Sequence, residues 1–212
     1  MRMKKLIARQ LRKPSGIAGR WFVGKSLNKS NGPLEDMGLE LMQLQPEHHV
    51  LEVGFGNGRL ISRMAEVVKE GSITGIDISR VMVSQAKKKN RDAVRSGKVK
   101  LHRASVADIP AAEATFDRVF TANTVYFWPD PTTNIQEVLR VMNSGAIFLC
   151  GLRLKGDMLQ MDVVAENRDI FQNLYTLDEI TSLLESAGFV KVTPHVVQRK
   201  YFSDVIVVGT KP

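Results

Sequence analysis

Residues 50–59 read VLEVGFGNGR, and the order of residue types in this segment indicates the class of fold. Strand-type residues lead directly into three glycines, Gly54, Gly56 and Gly58, and a segment with helical periodicity follows. Glycine adopts backbone conformations that are closed to other residues, and it lets the main chain come close to a ligand. A strand, a glycine-rich turn and a helix in this order indicate a ligand site at the carboxyl edge of an α/β sheet.

The rest of the chain continues the alternation of strands and helices. From about residue 49, apolar strand-type runs alternate with segments of helical period, which is typical of a parallel sheet covered on both faces. Only about three residues separate the last two runs, so these two strands must pair antiparallel. We therefore predict an α/β fold, a doubly wound, Rossmann-like sheet of seven mostly parallel strands with the last strand antiparallel. The predicted strands are residues 49–53, 72–77, 99–103, 116–121, 145–151, 189–197 and 201–209.

Two of the predicted helices carry capping signals at their first residue. Ser79 precedes one helix, and serine is a preferred N-cap residue. Thr176 stands three residues before Glu179, which is the spacing of a capping box, and Gly188 follows the last turn of the same helix. These signals fix where the two helices begin.

The composition indicates one intracellular domain. The chain has 212 residues and is 43% apolar, which is enough to bury a single large core. It contains no run of about 18 apolar residues and no secretory signal pattern, so we expect a cytoplasmic protein. Its one cysteine, Cys150, lies inside an apolar run, where we expect it to fill a strand rather than to react or bind a metal.

The positive charge belongs to one end of the chain. The net charge is +8, yet residues 1–31 hold nine Lys and Arg residues and no acidic residue, whereas the remainder has 21 basic and 22 acidic residues. We therefore divide the chain into a basic N-terminal arm, residues 1–33, and a domain, residues 34–212.

The basic arm has several interpretations. If residues 2–13 are helical, the apolar side chains share one face, which holds Met3, Leu6, Ile7 and Leu11. Such a helix, with Trp21 and Phe22 nearby, can lie on an anionic membrane surface through residues 1–25. It can equally fold over the mouth of the cofactor site, bind nucleic acid through its cations, or serve as a transit peptide.

Two carboxylates decide which cofactor the glycine turn accepts. A dinucleotide-binding turn would have glycine where this chain has Arg59, and Glu52 would repel a pyrophosphate. S-adenosylmethionine has no phosphate and carries a cationic sulfonium and a cationic ammonium group, so Glu52 favours it. Asp77 ends the second strand 19 residues after Gly58, where a carboxylate can accept both ribose hydroxyls. The simpler alternative is that Asp77 only caps the next helix.

Four motifs in order then carry a family resemblance. They are EVGFGNG at residues 52–58, Asp77, SVADIP at residues 105–110, and FDRVFTAN at residues 116–123. With these motifs the chain, from about residue 44 to residue 209, resembles the class I S-adenosylmethionine-dependent methyltransferases, in their type 11-like small-molecule branch. The resemblance implies S-adenosyl-L-methionine as methyl donor and S-adenosyl-L-homocysteine as product.

The resemblance also implies which residues hold the cofactor. Ser105 stands where this family often has an acidic residue for the adenine amino group, so we assign adenine recognition to the backbone of Val106 and Ala107 and the apolar side chain of Ile78. Asn123, after the fourth strand, is expected near the methionine moiety. The full predicted set is Glu52, Gly54, Phe55, Gly56, Asn57, Gly58, Asp77, Ile78, Val106, Ala107 and Asn123.

Methyl transfer from a sulfonium is a direct in-line displacement, which chiefly requires positioning and exclusion of water. We expect no metal ion, and a small-molecule or amphiphilic, lipid-like acceptor. If a proton must be removed, Tyr126 is the catalytic candidate. The predicted acceptor pocket consists of Tyr126, Trp128, Met161 and Tyr175.

Other functions share these features. An RNA methyltransferase could use the basic arm for phosphate contacts. A non-catalytic protein could hold the nucleoside cofactor without turnover, and a nicotinamide-dependent dehydrogenase has a similar sheet.

Overall fold

A computed structural model gives the arrangement of residues 2–16, 24–199 and 201–212. The apolar cluster predicted at Trp21 and Phe22 lies outside these residues. Among the helices in the described part of the chain, none combines the length and the hydropathy that crossing a lipid bilayer requires.

A seven-stranded sheet forms the centre of the molecule. Its order is β3-β2-β1-β4-β5-β7-β6, with β7 antiparallel to both of its neighbours and the other pairings parallel. This order confirms the predicted fold class. The strands are β1 (His49–Val53), β2 (Ser72–Ile76), β3 (Val99–His102), β4 (Phe116–Ala122), β5 (Met142–Arg153), β6 (Val190–Gln198) and β7 (Ser203–Thr210).

Helices cover the sheet and precede it. They are α1 (Arg2–Arg12), α2 (Gly24–Met42), α3 (Arg59–Val67), α4 (Arg80–Lys89), α5 (Arg91–Arg95), α6 (Pro131–Val141), α7 (Lys155–Leu159), α8 (Asp162–Ala165) and α9 (Leu177–Ser186), with a 3-10 turn at Val125–Phe127. The boundary that we drew after residue 33 falls inside α2.

Both predicted caps are present. The side chain of Ser79 accepts a hydrogen bond from the backbone N–H of Met82. Thr176 and Glu179 form the reciprocal capping box, in which each side chain accepts a hydrogen bond from the other residue's backbone N–H.

Alternate residues of the central strands pack on opposite faces of the sheet. In β4, Val119 belongs to the apolar cluster that includes α6 and α9, whereas the next residue, Phe120, belongs to the cluster that includes α2 and α3. Both side chains are fully buried, as is Cys150 in β5. Burial on both faces explains why these strands read as continuous apolar runs.

Residues 152–175 are more ordered than the sequence indicates. Their lack of periodicity predicts a long irregular connection, yet they contain α7 and α8, and Met158 and Phe171 are buried in the core. Helices of five and four residues are too short to show a 3.6-residue repeat, so their pattern was not visible.

The capping box of α9 gives a stability prediction. Replacing Thr176 with Ala removes the side chain that accepts the N–H of Glu179 at 3.2 Å. We expect a loss of about 1 kcal/mol in the free energy of unfolding, and a melting temperature lower by roughly 2–4 °C. Thermal unfolding followed by circular dichroism measures the change. Thr132→Ala, at an exposed position of α6 that caps nothing, is the control, and equal melting temperatures for the two variants would contradict the prediction.

Candidate active site

A cavity of about 270 Å³ lies at the carboxyl ends of the central strands. Residues 52–57 from the end of β1 and the turn after it, Asp77 after β2, and residues 122–124 from the end of β4 all line it. The strand order reverses between β1 and β4, and open α/β sheets bind their ligands in the crevice at such a reversal. The cavity therefore lies where proteins with this kind of sheet bind their ligands.

The glycine turn closes one side of this cavity. Gly54 has φ +75°, and a Cβ atom there would lie 2.3 Å from Cγ2 of Thr124, so no larger residue fits. Gly56 has φ +54°, and no heavy atom lies within 4 Å of the position where its Cβ would be. The main chain at Gly56 is thus open to a ligand, as the sequence predicts.

Asp77 is held beside the turn by two backbone donors. Its Oδ2 accepts from the N–H of Gly56 at 3.0 Å, and its Oδ1 accepts from the N–H of Ser79 at 2.7 Å. The carboxylate is 9% exposed, and burial raises its pKa to about 6. Because the side chain that caps α4 is Ser79, Asp77 is not needed as the cap, and each of its oxygens keeps a lone pair for a ligand.

Glu52 is a buried carboxyl group in the cavity, and burial makes its charged form unfavourable. None of the described residues gives its Oε2 atom a hydrogen bond. Burial raises its pKa well above the ordinary value, and the neighbouring carboxylates Glu35 and Asp77 raise it further. Glu35 itself accepts from Nε and Nη2 of Arg59, both at 2.8 Å. Three carboxyl groups, Glu35, Glu52 and Asp77, thus form an acidic floor of the cavity, and a cation bound there would favour their charged forms.

The side of the cavity after β4 is aromatic and amide-bearing. Asn123 has φ +55°, which asparagine tolerates, and its Nδ2 donates to Oδ1 of Asn31 at 3.1 Å. Phe127 and Trp128 both line the cavity, and Nε1 of Trp128 donates to Oγ1 of Thr124 at 3.2 Å. Aromatic faces attract cationic groups, so this wall complements the acidic floor.

Most of the residues predicted for the cofactor come together here. Those that line the cavity are Glu52, Gly54, Phe55, Gly56, Asn57, Asp77, Ile78, Val106 and Asn123. Gly58 and Ala107 are not among the lining residues: Gly58 precedes α3 and packs toward Ala86, and the N–H of Ala107 donates to Oγ of Ser105 at 3.2 Å. Ser105 itself lines the cavity, and it stands where an acidic residue is usual in the family that the chain resembles.

Tyr126 does not lie where the sequence placed it. Its side chain is 2% exposed in the core, and its hydroxyl oxygen lies 3.0 Å from Oδ1 of Asn123 and 3.1 Å from the carbonyl of Arg153, whose N–H also donates to it. Burial raises the pKa of this hydroxyl. The geometry thus corrects the catalytic assignment, because Tyr126 joins the ends of β4 and β5 and presents no free hydroxyl to the cavity.

The predicted acceptor pocket is corrected in the same way. Of its four members only Trp128 lines the cavity. Met161 is 36% exposed, and its sulfur lies 3.5 Å from Nη1 of Arg153. Tyr175 is half-buried against the core cluster that contains Cys150.

The sequence missed cavity residues that come from the N-terminal elements. Leu11, Arg12 and Pro14 line the cavity, as do Asn31 and Glu35 of α2. The carbonyl of Pro14 accepts from Oγ of Ser79 at 2.5 Å, which joins the segment just after α1 to the start of α4. Local patterns do not show such long-range contacts, although one interpretation of the arm placed it over the cofactor mouth. In the described part of the chain, no group of three His, Cys, Asp or Glu side chains is arranged to hold a metal ion.

Comparisons with known proteins give a consistent result. A family model described as a methyltransferase domain matches residues 50–145. A Bacillus subtilis (strain 168) protein named as a methyltransferase, YrhH, is 30% identical over 122 residues, which cover 58% of this chain and 67% of that protein. An O-methyltransferase of Pyrenophora dematioidea is 28% identical over 154 residues, which cover 71% of this chain and 57% of the relative. This chain thus spans little more than half of that relative's length.

A solved structure agrees with these relatives. The crystal structure of a SAM-dependent methyltransferase from Aquifex aeolicus superposes with a TM-score of 0.67 at 26% identity, over 87% of this chain and 95% of the other.

The buried carboxyl group of Glu52 gives a prediction on stability. In the folded chain the pKa of Glu52 lies well above the ordinary 4.5, so folding favours its protonated form. The stability that this group contributes at low pH is therefore lost as the pH rises from its ordinary pKa through the raised one. Replacing it with Gln removes the charge and keeps the shape. At about pH 8 we expect the free energy of unfolding of Glu52→Gln to exceed that of the wild type by about 1–3 kcal/mol. At about pH 4.5 the two proteins should differ little.

Urea denaturation of the ligand-free protein at the two pH values measures this difference. Glu70→Gln, at an exposed glutamate before β2, is the control and should change little at either pH. A Glu52→Gln variant that is less stable than the wild type at the higher pH would contradict the account.

Proposed function

Because the chain belongs to the class I S-adenosylmethionine-dependent methyltransferases, we propose that it transfers a methyl group from S-adenosylmethionine to a small-molecule or lipid-like acceptor. One observation carries the proposal more than any other. The cavity holds a buried carboxyl group, Glu52, one oxygen of which receives no hydrogen bond from the described residues, and Asp77 lies beside it at the glycine turn. A buried charge without a partner is costly, and a cationic ligand would stabilise it.

The residues of the cavity fit the chemical groups of this cofactor. Glu52 would face a cationic group, and the two oxygens of Asp77 would accept from the ribose hydroxyls, since each has a lone pair left. Ile78 and Val106 offer apolar contact to the adenine. A dinucleotide would bring a pyrophosphate to the same acidic floor, so the charges disfavour a nicotinamide cofactor.

When bound, S-adenosylmethionine supplies an electrophilic methyl group on a sulfonium. The protein's part is to hold the donor, align the acceptor and exclude water. Phe127 and Trp128 provide an aromatic wall, and Asn123 provides an amide whose oxygen is fixed by Tyr126. We propose a direct displacement that uses neither Tyr126 as a base nor a metal ion.

The acceptor is proposed only by class. The relative from Pyrenophora dematioidea is named an O-methyltransferase, which supports a small-molecule acceptor here. The aromatic side of the cavity supports an acceptor with an apolar body.

Asp77 gives a prediction on cofactor affinity. With a pKa of about 6 in the free protein, the carboxylate loses its charge as the pH falls through that value. We therefore expect the affinity for S-adenosylhomocysteine to fall between about pH 7.5 and pH 5, because a protonated acid accepts from one hydroxyl fewer. Asp77→Asn should bind roughly 10- to 100-fold more weakly at the higher pH, from the loss of charge-assisted hydrogen bonds.

Isothermal titration calorimetry measures both effects. Asp108→Asn, an acid of the SVADIP motif that does not line the cavity, is the matched control and should keep the wild-type affinity and pH profile. Wild-type affinity in Asp77→Asn would rule out the proposed sugar contact.

Phe127 gives a prediction on turnover. S-adenosylhomocysteine lacks the sulfonium, so replacing the aromatic ring with Leu should leave its affinity nearly unchanged. At sub-saturating S-adenosylmethionine, release of S-adenosylhomocysteine with the best acceptor from a screen of lipids, phenols and RNA should become about fivefold slower, because the variant loses a cation–π contact of about 1 kcal/mol to the sulfonium.

Turnover with EDTA present should equal turnover without it. A wild-type protein that binds S-adenosylhomocysteine but methylates no acceptor would instead favour a protein that only holds the cofactor. Methylation of RNA alone would overturn the proposed acceptor class.

A further inference from the structure

The first helix is attached to the domain by its charged side. Nζ of Lys4 lies 2.8 Å from Oδ2 of Asp162 and 2.5 Å from Oε1 of Glu166. Nζ of Lys5 lies 3.0 Å from Oδ2 of Asp169. These pairs are solvent-exposed and each contributes little to stability, but together they fix which face of α1 is turned toward the domain.

Most of the apolar side of the same helix faces outward, whereas Leu11 near its end packs against the core. Met3, Leu6 and Ile7 are 69%, 51% and 38% exposed. Residues at these spacings share one face of a helix, and in a surface helix that face normally packs on the core. Among the described side chains of α1 only Ala8 is fully buried. Three of the four apolar side chains predicted to share a face are thus exposed, which burial alone would not select.

Cations border this outward stripe of Met3, Leu6 and Ile7. At about 100° per residue, Arg9 and Lys13 project within roughly 60° of Leu6, and both are exposed. The helix contains no acidic residue in its first turn, and its last turn holds Arg9 and Arg12. Leu159 and Met161, at the end of α7 and just before α8, are also exposed.

We infer that the outward stripe of α1 docks on an anionic lipid bilayer. Exposed apolar side chains bordered by Lys and Arg are the chemistry that such a surface accepts, since the apolar groups enter the boundary of the acyl chains and the cations meet lipid phosphates. Nucleic acid would use the cations and leave the apolar stripe exposed to water. The exposed apolar stripe therefore favours a bilayer over nucleic acid, which has no apolar interior to accept these side chains.

The docked helix leads directly to the cavity. Leu11 and Arg12 at its end, and Pro14 just after it, line the cavity, so only α1 itself would separate a bilayer bound to its outer side from the cavity wall. Resting on the proposed function, this position gives an amphiphilic acceptor a short route from the membrane to the methyl donor.

Cosedimentation of the full chain with vesicles tests the inference. We expect binding to phosphatidylcholine vesicles that contain phosphatidylglycerol, little binding to pure phosphatidylcholine, and weaker binding as salt is added. Leu6→Ser with Ile7→Ser should abolish binding. Arg9→Gln with Lys13→Gln should weaken it on the order of tenfold and reduce its dependence on salt.

Matched controls distinguish binding through this surface from nonspecific binding through any exposed apolar or cationic side chain. Val67→Ser removes an apolar side chain that is 42% exposed on α3, and Lys87→Gln with Lys88→Gln removes two exposed cations from α4. Both controls should bind vesicles as the wild type does. Calorimetry with S-adenosylhomocysteine should give the same affinity for every variant, so loss of cofactor binding and loss of vesicle binding are read separately.

Three results would overturn the inference. The first is equal binding to neutral and anionic vesicles, or none to either. The second is anionic-vesicle or RNA binding that Leu6→Ser with Ile7→Ser retains, since the cations alone would then explain it. The third is a dimer in light scattering that the same double variant converts to a monomer, which would assign the stripe to a second copy of the chain.

Discussion

The buried carboxylate of Glu52 is the constraint on which the rest of the site depends. It lies in β1, and none of the described residues supplies a hydrogen bond to one of its oxygens. A fold selected only for stability would place an apolar residue or Gln there, because an uncompensated buried charge is costly. This buried group lies in a cavity that a glycine turn and Asp77 also line. Its position indicates that a cationic ligand is the missing partner.

The sheet explains why these groups meet. Parallel strands bring their carboxyl ends to one edge, so the acid of β1, the acid after β2 and the aromatic segment after β4 converge without long connections. The antiparallel strand β7 supports that edge from the other side: Asp204 accepts from Nε of Arg153 at 2.9 Å, and Arg153 in turn holds the hydroxyl of Tyr126. A residue that looked catalytic in the sequence therefore serves to position Asn123.

Features that depend on neighbouring residues in the chain could be predicted from the sequence, whereas contacts between distant parts of the chain could not. The strands and the glycine turn were predictable because apolar runs and positive-φ positions are local properties of the chain. Glu35 and Arg12 were not, since they reach the cavity only through the packing of α2 and α1. The position of Tyr126 was missed because a pattern shows that a hydroxyl is near the strand end but not which neighbours it bonds. The ion pairs of Lys4 and Lys5, which turn the apolar side of α1 outward, join residues about 160 positions apart and leave no local trace.

If a cationic cofactor binds against Glu52, its binding should change the number of protons that the protein holds. Burial and the neighbouring carboxylates raise the pKa of Glu52 well above the ordinary value in the free protein, and a bound cation should bring that pKa down. Calorimetric titration with S-adenosylmethionine at about pH 7, in two buffers of different ionisation enthalpy, reports the protons released. We expect net proton release by the wild type, with release reduced and affinity weakened in Glu52→Gln. Absence of binding, or binding with the same affinity and proton balance in both proteins, would contradict this expectation.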